Sequence, residues 1–337
     1  ESFIIINHPL LIMENHFTKE EIEEILSNYN LGQFKSFGKI KKNDVVSFGQ
    51  IIETTKGKFF MKVLRHFDEG IKQSLKVADI LQKQNFPTYQ TFSTKSNKLY
   101  LTYKNQQIIF YEFIPNLKES WKNLNLKEIN DFGRTLAKFH KMTKLLNIKP
   151  TNSGTYENIK SLIHKFFLKR KRFSSNIQNI LEYMEKEIKL IECPKNQYST
   201  GYYSEFNPGH VQFKNNKVRI VIDWNIGKTN AFFDYGSSMT ACFSLDGNKF
   251  YPKKLKEFIS AYDKERPLSN WEKKHLFEAF KFGILKYGIW GFVDLKTGDI
   301  VEKEKQIDQD ELNKVKYLMS LDKISFNKMI EYEREQK

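Results

Sequence analysis

The chain has 337 residues and a net charge of +15, and 40% of its residues are hydrophobic. This length and apolar fraction exclude a single small module and a disordered chain, and fit a two-lobed enzyme or two modest domains. The positive charge disfavours a polycationic substrate and favours anionic partners such as nucleotides or phosphorylated metabolites. A Lys-rich composition spread along the chain would explain the same charge without any partner.

Cysteine usage and hydropathy indicate the cellular setting. The two cysteines, Cys193 and Cys242, are isolated and give neither a disulfide framework nor a metal-ligand spacing. We therefore expect a reducing, cytoplasmic compartment. The longest apolar runs are about six residues, far short of the ~20 that a membrane-spanning helix needs. The N-terminus also lacks the charged-then-apolar pattern of a signal peptide, so we expect no membrane span.

The first third of the sequence combines helices with β-strands. Thr18 and Glu21 form a capping-box pattern, which predicts a helix at about 18–28. A second helix is predicted at about 68–84, where Pro87 prevents much extension. Strands are predicted at 47–53, 58–64, 99–103 and 107–113. Gly57 stands where the first of their turns requires a positive φ.

The remainder of the sequence has a mostly helical pattern with a short β segment. Helices are predicted around 129–139 and over 157–191, 251–263, 271–285 and 310–319. Within 202–223, the Asn207-Pro208-Gly209 run predicts a turn, and 214–217 predicts the tip of a β-hairpin. We therefore expect an α+β protein with an N-terminal lobe at 1–114 and a helical C-terminal lobe at 115–337. Ligands usually bind in the cleft that such a junction creates.

The hairpin region contains the residues most suited to chemistry. Because the hairpin folds back on itself, Glu205 and His210 at one end are expected near Asp223 at the end of the return strand. Two carboxylates beside an imidazole would be unfavourable unless they were solvated, paired or bound to a cation. A divalent ion that also holds a polyphosphate would supply that compensation.

The segment 203–213, followed by Ile222-Asp223-Trp224, resembles the catalytic loop of the aminoglycoside phosphotransferase and choline/homoserine kinase superfamily. That family reads His-Gly-Asp-x-x-x-x-Asn and later Ile-Asp-Trp, and its intervals of five and eighteen residues after the acid recur here. Phe60-Met61-Lys62-Val63 is similar to its third-strand lysine motif. The family's hinge is similar to Ile109–Pro115. Its helix that ends in Leu-His is similar to residues 133–140.

The resemblance implies a protein-kinase-like two-lobe fold, with a small antiparallel sheet and one main helix in the N-lobe. It implies an ATP- or GTP-dependent phosphotransferase that acts on a small-molecule hydroxyl with Mg²⁺ or Mn²⁺. Glu205 would accept the proton, and Asp223 and His210 would bind the metal. The implied nucleotide-binding residues are Lys62, Lys42, Ser47, Tyr111, Glu112, Phe113 and Ile114. His140 and Asp234 are expected to be structural.

Several positions depart from the family pattern. The family His, Gly, Asp and Asn are here Tyr203, Ser204, Glu205 and His210. The longer Glu205 side chain displaces the carboxylate, and imidazole is a poor ligand for Mg²⁺. These changes favour, as the alternative, a catalytically weak pseudokinase that binds nucleotide or a partner protein.

Two further features of the sequence leave open questions. Residues 41–49 replace the usual glycine-rich phosphate loop, and on the helix after Lys62 only Glu69 is an outside candidate to pair with it. The basic run at 165–172 is either a solvated helix face or a surface that attracts an acidic acceptor or polyanion. A nucleic-acid-binding protein is a third possibility from charge alone, but it is disfavoured because no reading motif is present. The sequence identifies neither the acceptor nor the oligomeric state.

Overall fold

The computed structural model describes residues 16–43, 47–65, 67–119, 124–149, 154–192, 199–203, 206–222, 226–243, 249–293, 307 and 309–330. The chain divides into two compact units. The first contains the described residues up to Leu117 together with those of 220–224, and the second contains the others. The architecture is mixed α and β, as the sequence predicts.

The first unit is an antiparallel sheet with two helices. Its helices are α1 (Lys19–Ser27) and α2 (Glu69–Lys83). Its strands are β1 (Phe34–Asn43), β2 (Ser47–Thr54), β3 (Gly57–Leu64), β4 (Thr91–Phe92), β5 (Leu101–Tyr103) and β6 (Gln106–Glu112). The strand order is β1-β2-β3-β6-β4, and β5 pairs with β6. Local signals position these elements: Thr18 and Glu21 form the predicted capping box, and Gly57 has a φ of 133°.

The two faces of this sheet are covered differently. Met61 and Val63 of β3 point to a fully buried cluster with Ile22 and Ile25 of α1. Side chains alternate along a strand, so the residues between them face the other way. There, Leu64 packs in a cluster with Ile109 of β6 and Leu75 of α2. Lys62 therefore lies on the α2 side of the sheet.

The second unit is mainly helical. Its helices are α3 (Leu126–Thr143), α4 (Tyr156–Leu168), α5 (Ser175–Lys189), α6 (Ala231–Phe243), α7 (Pro252–Glu265), α8 (Asn270–Lys274), α9 (Leu276–Val293), α10 (Gln309–Met319) and α11 (Lys323–Ile330). Its short strands are β7 (Lys118–Glu119), β8 (Ser199–Tyr203), β9 (Val211–Lys214), β10 (Lys217–Val221, whose last two residues belong to the first unit) and β11 (Ile226–Asn230). They pair as β10-β9-β7 and β11-β8. None of the helices that the structure describes is long and apolar enough to cross a bilayer.

Some predicted boundaries hold and others do not. The hairpin tip is confirmed at Asn215 and Asn216, which both adopt positive φ. The predicted helical region 157–191 is instead two helices, α4 and α5, separated by a 3₁₀ turn at Arg170–Arg172. The break follows from tertiary packing, because the extended residue Phe173 places its ring edge-on against Phe292 of α9. The region predicted as 271–285 is likewise split, at His275, into α8 and α9.

The close crossing of α6 and α9 in the second unit depends on two glycines. A Cβ atom added to Gly236 of α6 would overlap the carbonyl oxygen of Ala279 on α9, and one added to Gly283 would overlap the carbonyl of Gly236. The neighbours are backbone atoms, which cannot rotate away. The absence of a side chain at these positions therefore fixes how closely α6 and α9 approach.

We expect Gly236→Ala to lower the free energy of unfolding by about 3 kcal/mol, the upper range for overpacking a core. Urea denaturation of the two proteins measures the difference. Gly70→Ala is the control because Gly70 is an exposed residue in the first turn of α2. It should stay within about 1 kcal/mol of wild type, since alanine favours helix. An unchanged midpoint for Gly236→Ala would contradict the close crossing.

Candidate functional site

One face of the sheet in the first unit brings together several of the predicted site residues. In the strand registers, Lys62 of β3 lies opposite Gly49 of β2 on one side and Ile109 of β6 on the other. Ser47 pairs with Leu64, and Tyr111 pairs with Phe60. Paired residues share a face of the sheet. Ser47, Lys62 and Tyr111 thus lie on one face, where the side chain of Lys62 is half-buried.

Next to Lys62 on this face lies a cluster of three rings, which we call the aromatic cluster: Phe60, Tyr89 and Tyr111. The ring centroids are 6.4 Å apart for Phe60 and Tyr89, 6.5 Å for Phe60 and Tyr111, and 5.2 Å for the two tyrosines. All three side chains are half-buried. Phe60 and Lys62 are two residues apart on one strand, which corresponds to about 7 Å. A positive charge and a half-buried aromatic cluster are therefore neighbours.

Only part of this arrangement was predicted. Tyr111 was assigned to the site, whereas Phe60 and Tyr89 were missed. The strand alternation that places Phe60 beside Lys62 could have identified it, but Tyr89 lies outside any strand, where no periodic signal exists. Glu112 pairs with Phe59, so its side chain lies on the opposite face from Lys62. The main-chain N–H of Glu112 donates to Gln90 O at 3.0 Å.

The other residues assigned to nucleotide binding have varied positions. Phe113 and Ile114 follow the end of β6 and are half-buried. The backbone of Lys42 pairs with Gly49, but its side chain lies outside the described residues. Residues 44–46 of the expected phosphate loop also lie outside them. Glu69, considered as a partner of Lys62, forms an exposed ion pair with Lys72 at 2.6 Å.

The segment that leads to Asp223 is hydrogen-bonded to the first unit, which also contains Lys62. Val221 N–H donates to Pro87 O at 2.9 Å, and its carbonyl accepts from the Thr88 hydroxyl at 3.2 Å. Thr88 and Val221 also form an isolated parallel bridge. Since Thr88 directly precedes Tyr89 of the aromatic cluster, the end of β10 is fixed beside that cluster. Asp223 itself, with Trp224, lies outside the described residues.

In the second unit, the segment around the predicted catalytic loop is held by buried helices. Glu205 lies outside the described residues, but its neighbour Phe206 does not. The Phe206 carbonyl accepts a 2.6 Å hydrogen bond from Ser238 of α6, and its ring lies 4.9 Å from Phe132 of α3. Two residues before Glu205, Tyr203 pairs with Ile226 at the end of the β8–β11 ladder. Glu205 is therefore flanked by anchored residues on both sides.

The predicted turn after Phe206 is confirmed. The Asn207 carboxamide oxygen accepts from Gly209 N–H at 2.8 Å, which is the local bond that favours Asn before such a turn. The segment Pro208–His210 is one 3₁₀ turn that leads directly into β9. His210 is half-buried at its end.

A buried polar chain connects four helices near this segment. His140 of α3 contacts Tyr262 of α7 through Nδ1 at 2.6 Å and Asp234 of α6 through Nε2 at 3.1 Å. Arg266 donates to the Tyr262 hydroxyl at 2.7 Å and to Glu272 of α8 at 2.5 Å. All five side chains are buried. His140 and Asp234 are thus structural, as the sequence predicted.

The hydrogen-bond pattern assigns the protons in this chain. A carboxylate only accepts, so Nε2 of His140 carries the proton and donates to Asp234. Nδ1 then accepts from the Tyr262 hydroxyl, whose oxygen in turn accepts from Arg266. Burial lowers the pKa of His140, and the Asp234 carboxylate partly opposes that shift. The imidazole is therefore held in its neutral form, and burial raises the pKa of Tyr262.

The described residues do not by themselves form a metal site. Among them, no group of three or more His, Cys, Asp or Glu side chains could hold an ion. His210 offers nitrogen, whereas Mg²⁺ prefers oxygen. Cys242 is buried, and burial raises the pKa of its thiol well above the usual value. Asp223 and Glu205, the carboxylates that the resemblance assigns to this chemistry, and Cys193 lie outside the described residues.

Comparison with known proteins identifies the architecture. No protein-family model and no curated protein sequence matches the chain. A spectinomycin phosphotransferase in complex with ADP and spectinomycin is 16% identical with a TM-score of 0.63, over 94% of this chain and 99% of that one. An amicoumacin kinase in complex with AMP-PNP and Ca²⁺ is 10% identical with a TM-score of 0.64, over 89% of this chain and 94% of that one. A choline kinase from Cryptosporidium parvum is 14% identical with a TM-score of 0.58, over 90% of this chain and 97% of that one.

The chain has the fold of the aminoglycoside phosphotransferases and related small-molecule kinases. The predicted protein-kinase-like two-lobe fold is thereby confirmed. In this phosphotransferase fold, the sheet with Lys62 and the segment containing Phe206 belong to the two different units.

Proposed function

We propose that this protein is an ATP- or GTP-dependent phosphotransferase that transfers the γ-phosphoryl group to a hydroxyl of a small, non-polycationic molecule. The observation that carries the proposal is the sheet face on which Lys62 lies beside the aromatic cluster. An ammonium group binds phosphate oxygens, and aromatic rings stack with nucleobases. Proteins of the same fold bind ADP, AMP or AMP-PNP, which supports a nucleotide co-substrate.

The proposed reaction assigns a role to four side chains. The acceptor hydroxyl oxygen attacks the γ-phosphorus, the bond from that phosphorus to the β,γ-bridging oxygen breaks, and the nucleoside diphosphate leaves. Glu205 accepts the hydroxyl proton, and Lys62 neutralises charge on the phosphates. A divalent cation, Mg²⁺ or Mn²⁺, would neutralise further charge, with Asp223 as its proposed ligand and His210 as a weaker one.

Anchoring of the neighbouring residues supports the roles of both carboxylates. Val221, two residues before Asp223, is hydrogen-bonded to the loop that carries Tyr89. Phe206, directly after Glu205, is fixed by Ser238 and by the ring of Phe132. Catalytic groups must be held to within a fraction of an ångström, so rigid neighbours are what such roles require.

The charge of the protein narrows the acceptor class. A polycationic acceptor would need an acidic site, whereas this chain has 55 basic and 40 acidic residues. An amino alcohol, a sugar or a hydroxy amino acid is compatible with that balance.

The direct test is incubation with γ-labelled ATP or GTP, with Mg²⁺ or Mn²⁺, and with a panel of these acceptors. We expect label to appear on at least one acceptor. Absence of transfer to every acceptor with either metal would overturn the proposal, whether or not the nucleotide binds.

We expect Lys62→Met to weaken nucleotide binding at least tenfold, because a hydrogen bond to a charged group contributes about 1.5–3 kcal/mol. Isothermal titration with a nonhydrolysable ATP analogue measures the affinity. Lys58→Met is the matched control, since Lys58 lies on the same strand and pairs with Glu53 on the exposed surface. Equal affinity of the two variants would remove Lys62 from the phosphate site.

A pseudokinase is the second candidate. The observation that favours it is the imidazole of His210, which takes the place of an oxygen ligand in the matching family motif. Thermal stabilisation by nucleotide, without transfer in the presence of any tested metal or acceptor, would establish this function and exclude the enzyme.

A further inference from the structure

A dense group of cations lies at the end of α4, in a stretch of sequence that contains few acidic residues. Between Asp131 and Glu182 the sequence contains eleven lysines and arginines and one acid, Glu157. We call four exposed cations at this end, together with one leucine, the basic tip: Lys165, Leu168, Lys169, Lys171 and Arg172. In the part of the chain that the structure describes, none of these four cations pairs with a carboxylate.

The leucine adds an exposed apolar group to the cations of the basic tip. Leu168 has 66% of its surface exposed, on the same end of α4 as Lys165 and Lys169. The negative end of the helix dipole explains why cations are favoured there, but it does not explain an exposed leucine among them. The neighbouring Arg170 is different, because it bonds to Glu182 at 2.8 Å and lies 4.0 Å from the Phe167 ring.

We propose that the basic tip docks on an anionic lipid surface. Clusters of Lys and Arg are attracted to such surfaces, and a projecting apolar side chain gains by entering the boundary between headgroups and acyl chains. This inference does not depend on the proposed phosphotransferase activity, since it uses none of the residues to which the proposed reaction assigns a role.

The arrangement of rings favours lipid over single-stranded nucleic acid. Nucleic-acid surfaces of this kind combine positive charge with aromatic rings open for base stacking. Here the Phe167 ring is covered by Arg170, and the rings of Phe166 and Phe173 pack against Phe292 of α9. The apolar group that the basic tip presents to solvent is aliphatic.

The test is co-sedimentation of the full chain with phosphatidylcholine vesicles that contain or lack phosphatidylglycerol. We expect binding only to the anionic vesicles, and loss of binding in about 1 M salt, where charges are screened beyond about 3 Å. Lys169→Gln combined with Lys171→Gln should weaken binding about 30-fold. The matched control replaces two exposed lysines of α7, Lys253→Gln and Lys264→Gln, and should bind as wild type.

A second variant separates lipid docking from simple polyanion binding. Leu168→Ser leaves the charge unchanged and should weaken vesicle binding about fivefold, while any retention of single-stranded RNA stays the same. Circular dichroism checks that each variant is folded. The proposal is overturned if wild type does not bind anionic vesicles, if the α7 control loses binding equally, or if Leu168→Ser binds vesicles as wild type does.

Discussion

We expect Asp223→Asn to lower the rate of phosphoryl transfer about 10³-fold. The substitution keeps the size of the side chain but removes the charge with which the proposed site would hold a divalent cation. Charge neutralisation by such a cation contributes several kcal/mol to a transition state, and each 1.4 kcal/mol corresponds to a factor of ten in rate. Single-turnover kinetics with the acceptor found in the panel would measure the loss.

A readout other than activity identifies the cause of that loss. If Asp223 binds the cation that accompanies the nucleotide, Mg²⁺ should increase the thermal stabilisation by ATP in wild type but not in Asp223→Asn. The matched control is Asp79→Asn on α2, where Asp79 pairs with Lys83 at 2.7 Å. It should leave both measurements unchanged. A variant that keeps more than a tenth of the wild-type rate would exclude Asp223 from the reaction.

Glu272→Ala should cause the largest loss of stability, about 3–5 kcal/mol in the free energy of unfolding. The Arg266 and Glu272 side chains are 7% and 6% exposed, so removal of the carboxylate would leave a guanidinium charge buried beside Tyr262. The same carboxylate accepts from Ser269 N–H at 2.8 Å and completes the capping box of α8. Denaturant unfolding monitored by circular dichroism would measure the change.

Two companion variants show whether the buried charge causes this loss. Replacing both partners, Arg266→Met with Glu272→Leu, should recover much of the stability because no unpaired charge remains. Glu23→Ala, which breaks the exposed pair with Lys19 at 3.8 Å, should cost no more than about 0.5 kcal/mol. A cost below about 1 kcal/mol for Glu272→Ala would mean that Arg266 reaches solvent or another partner.

Elements with strong local signals were predictable from the sequence. The first helix begins at its capping box, and the β2–β3 turn contains the glycine that its φ requires. Elements that depend on distant contacts were not predictable. Helix α6 is buried on nearly every side, and its polar residues Asp234, Ser237 and Ser238 are buried with the apolar ones, so no polar face marks an exposed side. The break between α4 and α5 was missed because Phe173, an extended residue in the connecting segment, packs on the distant helix α9.

Only part of the candidate site was predicted, because some of its residues are brought together by distant contacts and not by a local pattern. Lys62 and Tyr111 share a face because the register between β3 and β6 aligns them, and the motif resemblance had selected both residues. Tyr89 joins them only through the tertiary structure. Glu112 was selected with Tyr111, but adjacent residues of a strand point to opposite faces. The roles assigned to Glu205 and Asp223 stay predictions.

The hydrogen-bonded chain from Asp234 to Glu272 also determines how the second unit can open. Detachment of any one of α3, α6, α7 or α8 would leave a neutral imidazole, a phenol or a guanidinium in the interior without its partner. These helices should therefore exchange their amide hydrogens together, as a single cooperative foldon. The C-terminal end of α4 contributes no residue to these hydrogen bonds, so its opening would leave them intact.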